Sequence, residues 1–224
     1  MDIQAVFPRT LTIGSWPVSD TVVYTWIVVA IVTALGLLAF RRFRVWRPKR
    51  WQLLIEVLWN YVEELVINSG GQPQHGMVAY LVTMIFFVCL ANLLGLVPVF
   101  KSPTRDLNTT LALSLVSLAS SHYFAARKNG LLGALRRFVE PSFLLLPLTL
   151  LGEFSRVLSM ALRLFGNVLA GEIVGAVMFM LVPLIAPLPL NALGAITGVL
   201  QALVFTTLTV VFMLDAMGSD EPTT

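Results

Sequence analysis

Apolar runs long enough to cross a lipid bilayer recur along this sequence, and they constrain its fold more than any other feature. A helix needs about 20 consecutive apolar residues to span the hydrocarbon core. The runs are continuous and do not alternate with polar residues, which favours helices over a membrane β-barrel. The chain is 57% hydrophobic and only 12% charged. We therefore predict an all-α fold, a polytopic membrane protein with a single membrane domain over residues 1–224.

Basic residues predict the side of the membrane on which each loop lies. Residues 1–20 lack the basic start and apolar stretch of a signal peptide and are interpreted as an outer N-terminal segment. The first span, 21–40, ends in RRFRVWRPKR, whose six basic residues favour the cytoplasmic side. Residues 51–69 are amphipathic and carry three glutamates, which favours an interfacial helix, ended by two glycines, over a span.

A four-helix region is predicted over residues 77–214, followed by a polar cytoplasmic tail, 215–224. Its members are spans at about 77–99, 107–126 and 190–214, and an apolar segment at about 142–182. This topology places ten Lys and Arg in the inner loops and three in the outer segments, as the positive-inside rule requires. The single cysteine, Cys89, excludes an internal disulfide or a Cys-based metal cluster.

The segment 142–182 is too long for an ordinary span. Forty helical residues extend about 60 Å, twice the ~30 Å thickness of the hydrocarbon core. Two alternatives remain: a re-entrant or broken helix opened at Pro147, or one very oblique helix held by protein neighbours. In either case the last span is expected to lie against this segment as a hairpin.

The stretch SRVLSMALRLFGNVLAGE places charges inside this apolar segment. Ideal helical geometry puts Arg156, Arg163 and Asn167 on one face and Glu172 on the opposite face. An arginine in lipid costs from ~2.5 to more than ~10 kcal/mol unless it finds a carboxylate, carbonyls or water. Arg156 can pair with Glu153, three residues away, or extend to the interface. Arg163 has no acid at i±3 or i±4, so its partner must lie on another helix or another protein.

The last span adds a second polar stripe on one helical face, made by Gly194, Thr197, Gly198 and Gln201. Gln201 is either a hydrogen-bond link between helices or a residue that faces Arg163 and helps to hold it. Small residues allow a partner helix to approach closely, and a fixed cation holds a nearby carboxylate ionised. The residues alone therefore indicate ion translocation between this chain and a partner that bears a carboxylate.

The sequence resembles subunit a of the rotary F-type ATP synthase, the stator of its membrane sector. The resemblance rests on LSMALRLFGNVLAGE, GVLQALVFTTLTVVFML, ANLLGLVP and SPTRDLNTTLAL, in the family's order and spacing. It implies five spans, an interfacial second helix, and a long oblique hairpin that wraps the ring of c subunits and separates two half-channels. It also implies a non-catalytic subunit without cofactor or metal, because ATP chemistry belongs to partner subunits.

The resemblance also implies residue roles. Arg163 matches the essential arginine that faces the c-ring carboxylate, and Gln201 matches the glutamine packed near it. The other ion-path residues implied are Asn167, Glu172, Asn92 and Asp106. Arg156 and Glu153, paired by their spacing alone, are candidate auxiliary residues. Two positions depart from the family: Val157 stands where many members have proline, and Gly194 stands where some have a histidine paired with the acid of the preceding helix. Gly194 leaves room at that point but supplies no proton carrier.

The expected function is to couple proton translocation to c-ring rotation for ATP synthesis or hydrolysis. The expected partners are the c-ring, the peripheral-stalk subunit b, the rest of the complex and the bilayer, without nucleic acid. The expected location is a bacterial plasma (inner) membrane, with the N-terminus outside and the C-terminus in the cytoplasm. The alternatives are a Na⁺-translocating version of the subunit or a stand-alone secondary transporter. A transporter predicts an internal acid near Arg163 and an inverted repeat, which the sequence lacks.

Overall fold

The computed structural model describes residues 10–13, 16–42, 50–96, 100, 102–139, 146–182 and 187–218. Within these residues the chain folds into six helices: α1 (Asp20–Arg42), α2 (Arg50–Asn68), α3 (His75–Leu94), α4 (Leu107–Val139), α5 (Leu146–Leu181) and α6 (Pro187–Met217). A 3₁₀ turn, Pro103–Arg105, joins α3 to α4 and is called the connecting turn below. The all-α prediction is confirmed for this helical body.

A short β-ribbon that the sequence did not predict precedes α1. Strand β1 (Thr10–Ile13) pairs antiparallel with β2 (Trp16–Ser19), with Thr10 opposite Ser19 and Ile13 opposite Trp16. Strands of four residues are too short for polar and apolar alternation to distinguish them from a loop. The ribbon therefore lies within residues 1–20, for which the sequence predicts only an outer N-terminal segment.

Four helices of the described chain, α1, α3, α5 and α6, are long and apolar enough to cross a membrane. Helix α4 begins at the predicted Leu107 but is not among the four, because serines and threonines interrupt its apolar sequence. Beyond the predicted end at about residue 126 the chain kinks at Gly130, where φ is 77°, and a second helical stretch continues to Val139. The kink lies four residues beyond the predicted end of the span.

Helix α5 resolves the alternatives for the long apolar segment. It is one helix from Leu146 to Leu181, 36 residues or about 54 Å long. Pro147 lies in its first turn, where the missing N–H has no intrahelical partner to lose. A break at Pro147 is therefore wrong for the described residues, while residues 142–145 of the predicted segment lie outside them.

The predicted hairpin forms between α5 and α6. Arg156, near the start of α5, contacts Asp215, near the end of α6, so the two helices run antiparallel. Helix α6 also packs against α3 and α4, which places it at the centre of the bundle. The last two helices are thus neighbours within the bundle.

Buried side chains form two clusters along the bundle. The first joins α2, α3, α4 and α6 and includes Val62, Met77, Leu81, Phe124 and Met213. The second joins α3, α5 and α6 and consists of Met84, Val88, Met160, Leu164, Ala202 and Phe205. Leu164 and Ala202 directly follow Arg163 and Gln201, so the second cluster brings the two predicted site segments onto neighbouring helices.

The predicted amphipathic helix and second span also form. Helix α2 agrees with the predicted 51–69 and buries Val62 and Val66 against the body. Gly70 adopts φ 82° just beyond its end, a conformation that glycine reaches without strain. Helix α3 ends at Leu94, and residues 97–99 of the predicted span lie outside the described part of the chain.

Candidate functional site

Arg156 is paired within the chain. Its Nη1 lies 2.7 Å from Asp215 Oδ2 and 3.6 Å from Glu153 Oε1. Its guanidinium also lies 5.0 Å from the centre of the Phe212 ring. The predicted Glu153 pair is therefore present, but the shorter contact is to Asp215 on α6, which sequence analysis missed. Arg156 thus ties the start of α5 to the end of α6.

Arg163 differs from Arg156 in its surroundings. Its side chain is exposed, and it forms no ion pair with any residue that the structure describes. The neighbouring Leu164 is fully buried, so packing holds this turn of α5 while the arginine points away from the core. The described chain thus presents a cation on its surface without a carboxylate of its own.

The surface around Arg163 is apolar. On an ideal helix Ala170, Val174 and Val177 lie within about 40° of Arg163 around the axis. All three are exposed. Helix α6, which packs beside α5, also exposes apolar side chains, among them Ile196, Val199 and Leu200. A cation fixed on a wide apolar surface suits a partner that offers a carboxylate within an apolar environment.

Gln201 is buried on α6, 8% exposed, and its Nε2 has no hydrogen-bond partner among the described residues. An unpaired buried donor costs about 1–3 kcal/mol. Gln201 and Arg163 form no hydrogen bond with each other, although the residues that follow them share one buried cluster. Asn167, one turn beyond Arg163, is partly buried. Its side chain makes no hydrogen bond to any described residue.

Asn92 links three elements at one end of the bundle. Its Nδ2 donates to the Gly198 carbonyl at 3.1 Å, and its Oδ1 accepts from the Thr104 hydroxyl at 2.8 Å. The Ser102 hydroxyl lies 2.6 Å from that of Thr104 and donates to the Ala91 carbonyl. Asn92 therefore joins α3, α6 and the connecting turn, a role that its isolated position in the sequence did not indicate.

Asp106 uses both carboxylate oxygens in local structure. Oδ1 accepts from the Asn108 N–H at 3.0 Å, which caps the start of α4. Oδ2 accepts from the hydroxyl of the buried Thr21 at 2.8 Å, which joins the start of α1 to the same point. Asp106 thus lies at the end of the bundle that also holds Asn92.

Glu172 has an arginine partner that sequence analysis missed. Arg105, in the connecting turn, places Nη1 3.8 Å from Glu172 Oε2. The side chain of Arg105 is 4% exposed and that of Glu172 is 32% exposed. Arg105 had been interpreted only as one of the basic residues of an outer loop. Its pairing could not be found from spacing, because Glu172 lies on a different element far along the chain.

Gly194 faces a single neighbouring atom among the residues that the structure describes. A Cβ at this position would lie 3.0 Å from Leu96 Cδ2, the end of a flexible side chain, so the space beside α6 is narrow. The close approach of α3 and α6 continues at Gly198, where a Cβ would lie 3.1 Å from Asn92 Cβ. The two glycines therefore permit helix contact, and the acid of α5 is paired from the connecting turn instead.

A buried hydroxyl stripe on α4 was also missed. It consists of Thr110, Ser114, Ser117 and Ser121, all buried. The hydroxyls of Ser117 and Thr209 lie 2.8 Å apart across the α4–α6 contact. The spacing of four, three and four residues was the signal in the sequence that marks one helical face.

The opposite end of the bundle contains a cavity of about 480 Å³. It lies between the turn after α2, the end of α6 and Lys128 on α4, and Asp215 is among its lining residues. Near this cavity Asn129 Nδ2 donates to the Met217 carbonyl at 2.9 Å. The polar groups therefore fall into three zones: Asn92, Asp106 and the Arg105–Glu172 pair at one end, Arg163 and Gln201 between, and Arg156 with Asp215 at the other end.

Comparison with known proteins gives a consistent result over most of the chain. Residues 22–214 match the family model described as ATP synthase A chain. The chain is 35% identical over 201 residues to ATP synthase subunit a 2 of a Picosynechococcus species, covering 89% of this chain and 86% of the relative. It is 35% identical over 209 residues to ATP synthase subunit a 2 of a Bradyrhizobium species, covering 92% of each. It is 30% identical over 221 residues to ATP synthase subunit a 1 of Crocosphaera subtropica, covering 97% and 95%.

Proposed function

The chain belongs to the ATP synthase A chain family, and on that premise we propose that it forms the two proton half-channels of an F-type ATP synthase. Subunits of this kind belong to the membrane sector and are non-catalytic in themselves, since the catalytic sites lie in other subunits. As the stator, the chain couples proton translocation to rotation of a ring of c subunits. Rotation in one direction supports ATP synthesis and in the other ATP hydrolysis.

The observation that carries this proposal is the contrast between Arg163 and two other arginines, Arg105 and Arg156. Arg105 and Arg156 each lie within ion-pair distance of a carboxylate of the same chain. Arg163 is exposed on an apolar surface and has no ion-pair partner among the described residues. Its guanidinium stays charged and requires a counter-charge in a membrane. As the ring rotates, each c subunit in turn brings its carboxylate next to Arg163 and supplies that charge transiently.

The proposed topology has five spans, with α4 as the fifth and α2 as the interfacial helix. Hydroxyls of α4 bond to carbonyls of their own helix, as Ser121 does to Ser117, which lowers the cost of polar side chains in a span. Arg127 and Lys128 lie near the end of the bundle that holds the cavity, and the positive-inside rule assigns that end to the cytoplasm. The N-terminus is then outside and the C-terminus inside a bacterial plasma membrane, where subunit b and the rest of the complex bind.

The proposed ion route uses the two ends of the bundle in sequence. The outer half-channel passes the end that contains Asn92, Asp106 and Glu172 and reaches the ring carboxylate on one side of Arg163. The inner half-channel leads from the other side of Arg163 to the cavity beside Asp215. Arg163 separates the two routes because a fixed cation repels a migrating cation and favours an ionised ring carboxylate. Gln201 and Asn167 provide polar groups next to that boundary.

A disulfide cross-linking experiment tests whether this face of α5 contacts a c-ring. With Cys89 replaced by alanine, Ala170→Cys is expected to cross-link to a cysteine placed one turn from the ring carboxylate. The expectation follows because Ala170 is exposed on the side of α5 that carries Arg163. Cross-linked product is measured by electrophoresis of oxidised membranes from cells that contain the complete synthase.

The matched control is Ala161→Cys, the same substitution on the same helix at a fully buried position. It is expected to give no cross-link because its side chain points into the bundle. Equal cross-linking of both variants, or cross-linking at position 161 alone, would contradict the assignment of this surface to the ring.

Ion choice is tested separately with membrane vesicles that contain the assembled complex. We expect an imposed proton gradient to drive ATP synthesis without added Na⁺, and a protonophore to stop it. ATP synthesis driven by a Na⁺ gradient in the presence of the protonophore would instead support the Na⁺-translocating version. A stand-alone transporter would move ions in vesicles that contain this chain without the c-ring.

A further inference from the structure

We propose that Arg105 is a positioning residue for Glu172, and that it holds this carboxylate at the outer ion route by its charge. The proposal rests on the proposed function, because it concerns how an ion reaches the ring carboxylate. It assigns to the connecting turn a task beyond joining α3 to α4. The burial of the two partners, their separation and the rigidity of the turn support this role.

The two side chains differ in their access to solvent. Arg105 is nearly enclosed, with 4% of its side chain exposed, whereas 32% of the Glu172 side chain is exposed. The enclosed arginine therefore provides a fixed positive charge, since a guanidinium does not lose its proton. The glutamate remains reachable from outside the bundle. A migrating cation meets the carboxylate and not the arginine behind it.

The connecting turn is held on several sides. It contacts α1, α3, α4 and α5. The hydroxyls of Ser102 and Thr104 bond to Ala91 and Asn92 at the end of α3. The adjoining Asp106 bonds to Thr21 and to the start of α4. Arg105 thus extends from a fixed backbone, whereas Glu172 lies on a half of α5 whose surface is largely exposed.

The separation of the charges makes the contact between Arg105 and Glu172 an ion pair and not a hydrogen bond. Nη1 and Oε2 lie 3.8 Å apart, within ion-pair range but longer than the ~2.7–2.9 Å of a charge-assisted hydrogen bond. Nε and Nη2 of Arg105 are buried and have no partner among the described residues. These two unused donors can receive a water molecule or a second carboxylate oxygen. Arg105 therefore has the capacity to hold the carboxylate in more than one position.

Nearby acids of the packed elements have other contacts. Asp106 accepts hydrogen bonds through both of its oxygens. Asp20 lies at the start of α1, beside Thr21, and also makes contacts of its own. Of the described carboxylates, Glu172 is the one within ion-pair distance of Arg105. The pair is therefore a specific one across two elements.

A double-mutant cycle in the complete synthase tests the proposal. Arg105→Gln, Glu172→Gln and the double variant are compared by ATP-driven ion pumping and by passive ion conduction in membrane vesicles. Each single variant is expected to lower both rates about tenfold, and the double variant to lower them no further, because one interaction is lost in all three. Arg105→Lys is expected to retain most of the rate, since it keeps the charge.

The matched control combines Glu172→Gln with Arg156→Gln, which removes an arginine paired at the other end of the bundle. Those two effects are expected to multiply. If the Arg105 and Glu172 effects multiply as well, or if Arg105→Lys is as impaired as Arg105→Gln while the subunit accumulates normally, the positioning role is wrong.

If Arg105→Gln prevents accumulation of the subunit, the cycle is run with Arg105→Lys and Glu172→Asp. Both substitutions shorten a side chain on one side of the gap between the two charges. The double variant is therefore expected to lose more activity than the product of the two single effects. A loss equal to that product overturns the proposal. Failure of this proposal is distinct from failure of the proposed function. If Arg163→Gln loses pumping while the effects of the Arg105 and Glu172 substitutions multiply, the positioning role is rejected and the proposed function stands.

Discussion

Arg163→Gln is expected to abolish ion-driven ATP synthesis, with a loss of at least about a hundredfold, while the subunit still accumulates in the complex. Assembly should survive because Arg163 is exposed and makes no ion pair with the described residues. Packing at this turn depends instead on the fully buried Leu164. Function should be lost because glutamine removes the charge that separates the two half-channels. The measurements are ATP synthesis in vesicles and the amount of the subunit in purified complex.

Arg156→Gln provides the control, since it is the same change on the same helix. Arg156 is 36% exposed and pairs with Asp215 and Glu153, so its removal affects a partly exposed contact at the end of the hairpin. We expect its effect to stay within about tenfold, because partly exposed ion pairs contribute little. Coupled synthesis at a normal rate in Arg163→Gln, or equal losses in the two variants, would contradict the role proposed for Arg163.

Gly95→Val is expected to have the second largest effect, through displacement of the connecting turn. Gly95 has φ −66°, which any residue can adopt, so the constraint at this position is space. A Cβ here would lie 2.7 Å from Ser102 Cβ and 3.3 Å from Ser102 N. The turn must move, and the Thr104–Asn92 bond and the Arg105–Glu172 pair move with it. Overpacking of this kind costs about 1–3 kcal/mol.

The measurements for Gly95→Val are ion pumping and the temperature at which the subunit leaves the detergent-solubilised complex. Both are expected to fall. Gly36→Val is the matched control, because a Cβ at Gly36 on α1 meets no atom within 4 Å. A normal release temperature and pumping rate in Gly95→Val would show that the turn can shift without consequence for the ion route.

Much of the helical layout could be predicted from local sequence. Helices α1 and α2 agree with the predicted 21–40 and 51–69 to within two residues at each end. Apolar runs, basic flanks and glycines are local signals, and a bilayer sets the length that a run must reach. The end of the predicted third span is marked in the same way, because Arg127, Lys128 and Gly130 follow Ala126 within four residues.

The partners of the charged residues show the limit of local reasoning. The contact of Arg156 with Glu153 follows from a spacing of three residues on one helix. Its shorter contact with Asp215 depends on how α6 packs beside α5. The pairing of Arg105 with Glu172 depends on a turn wedged among four helices. Neither long-range pair has a signal in the sequence, since helical spacing says nothing about another element.

By itself the sequence determined that long apolar helices form and that Arg163 has no acid within a helical turn, because both properties depend on residues close along the chain. The tertiary structure alone decided which arginines are neutralised, because ion pairs between elements require packed helices and a fixed turn. Packing paired Arg105 and Arg156 with carboxylates of the same chain and left Arg163 exposed. That difference arises because Asp215 on α6 and Glu172 on α5 lie within reach of Arg156 and Arg105, whereas no described carboxylate lies within ion-pair distance of Arg163.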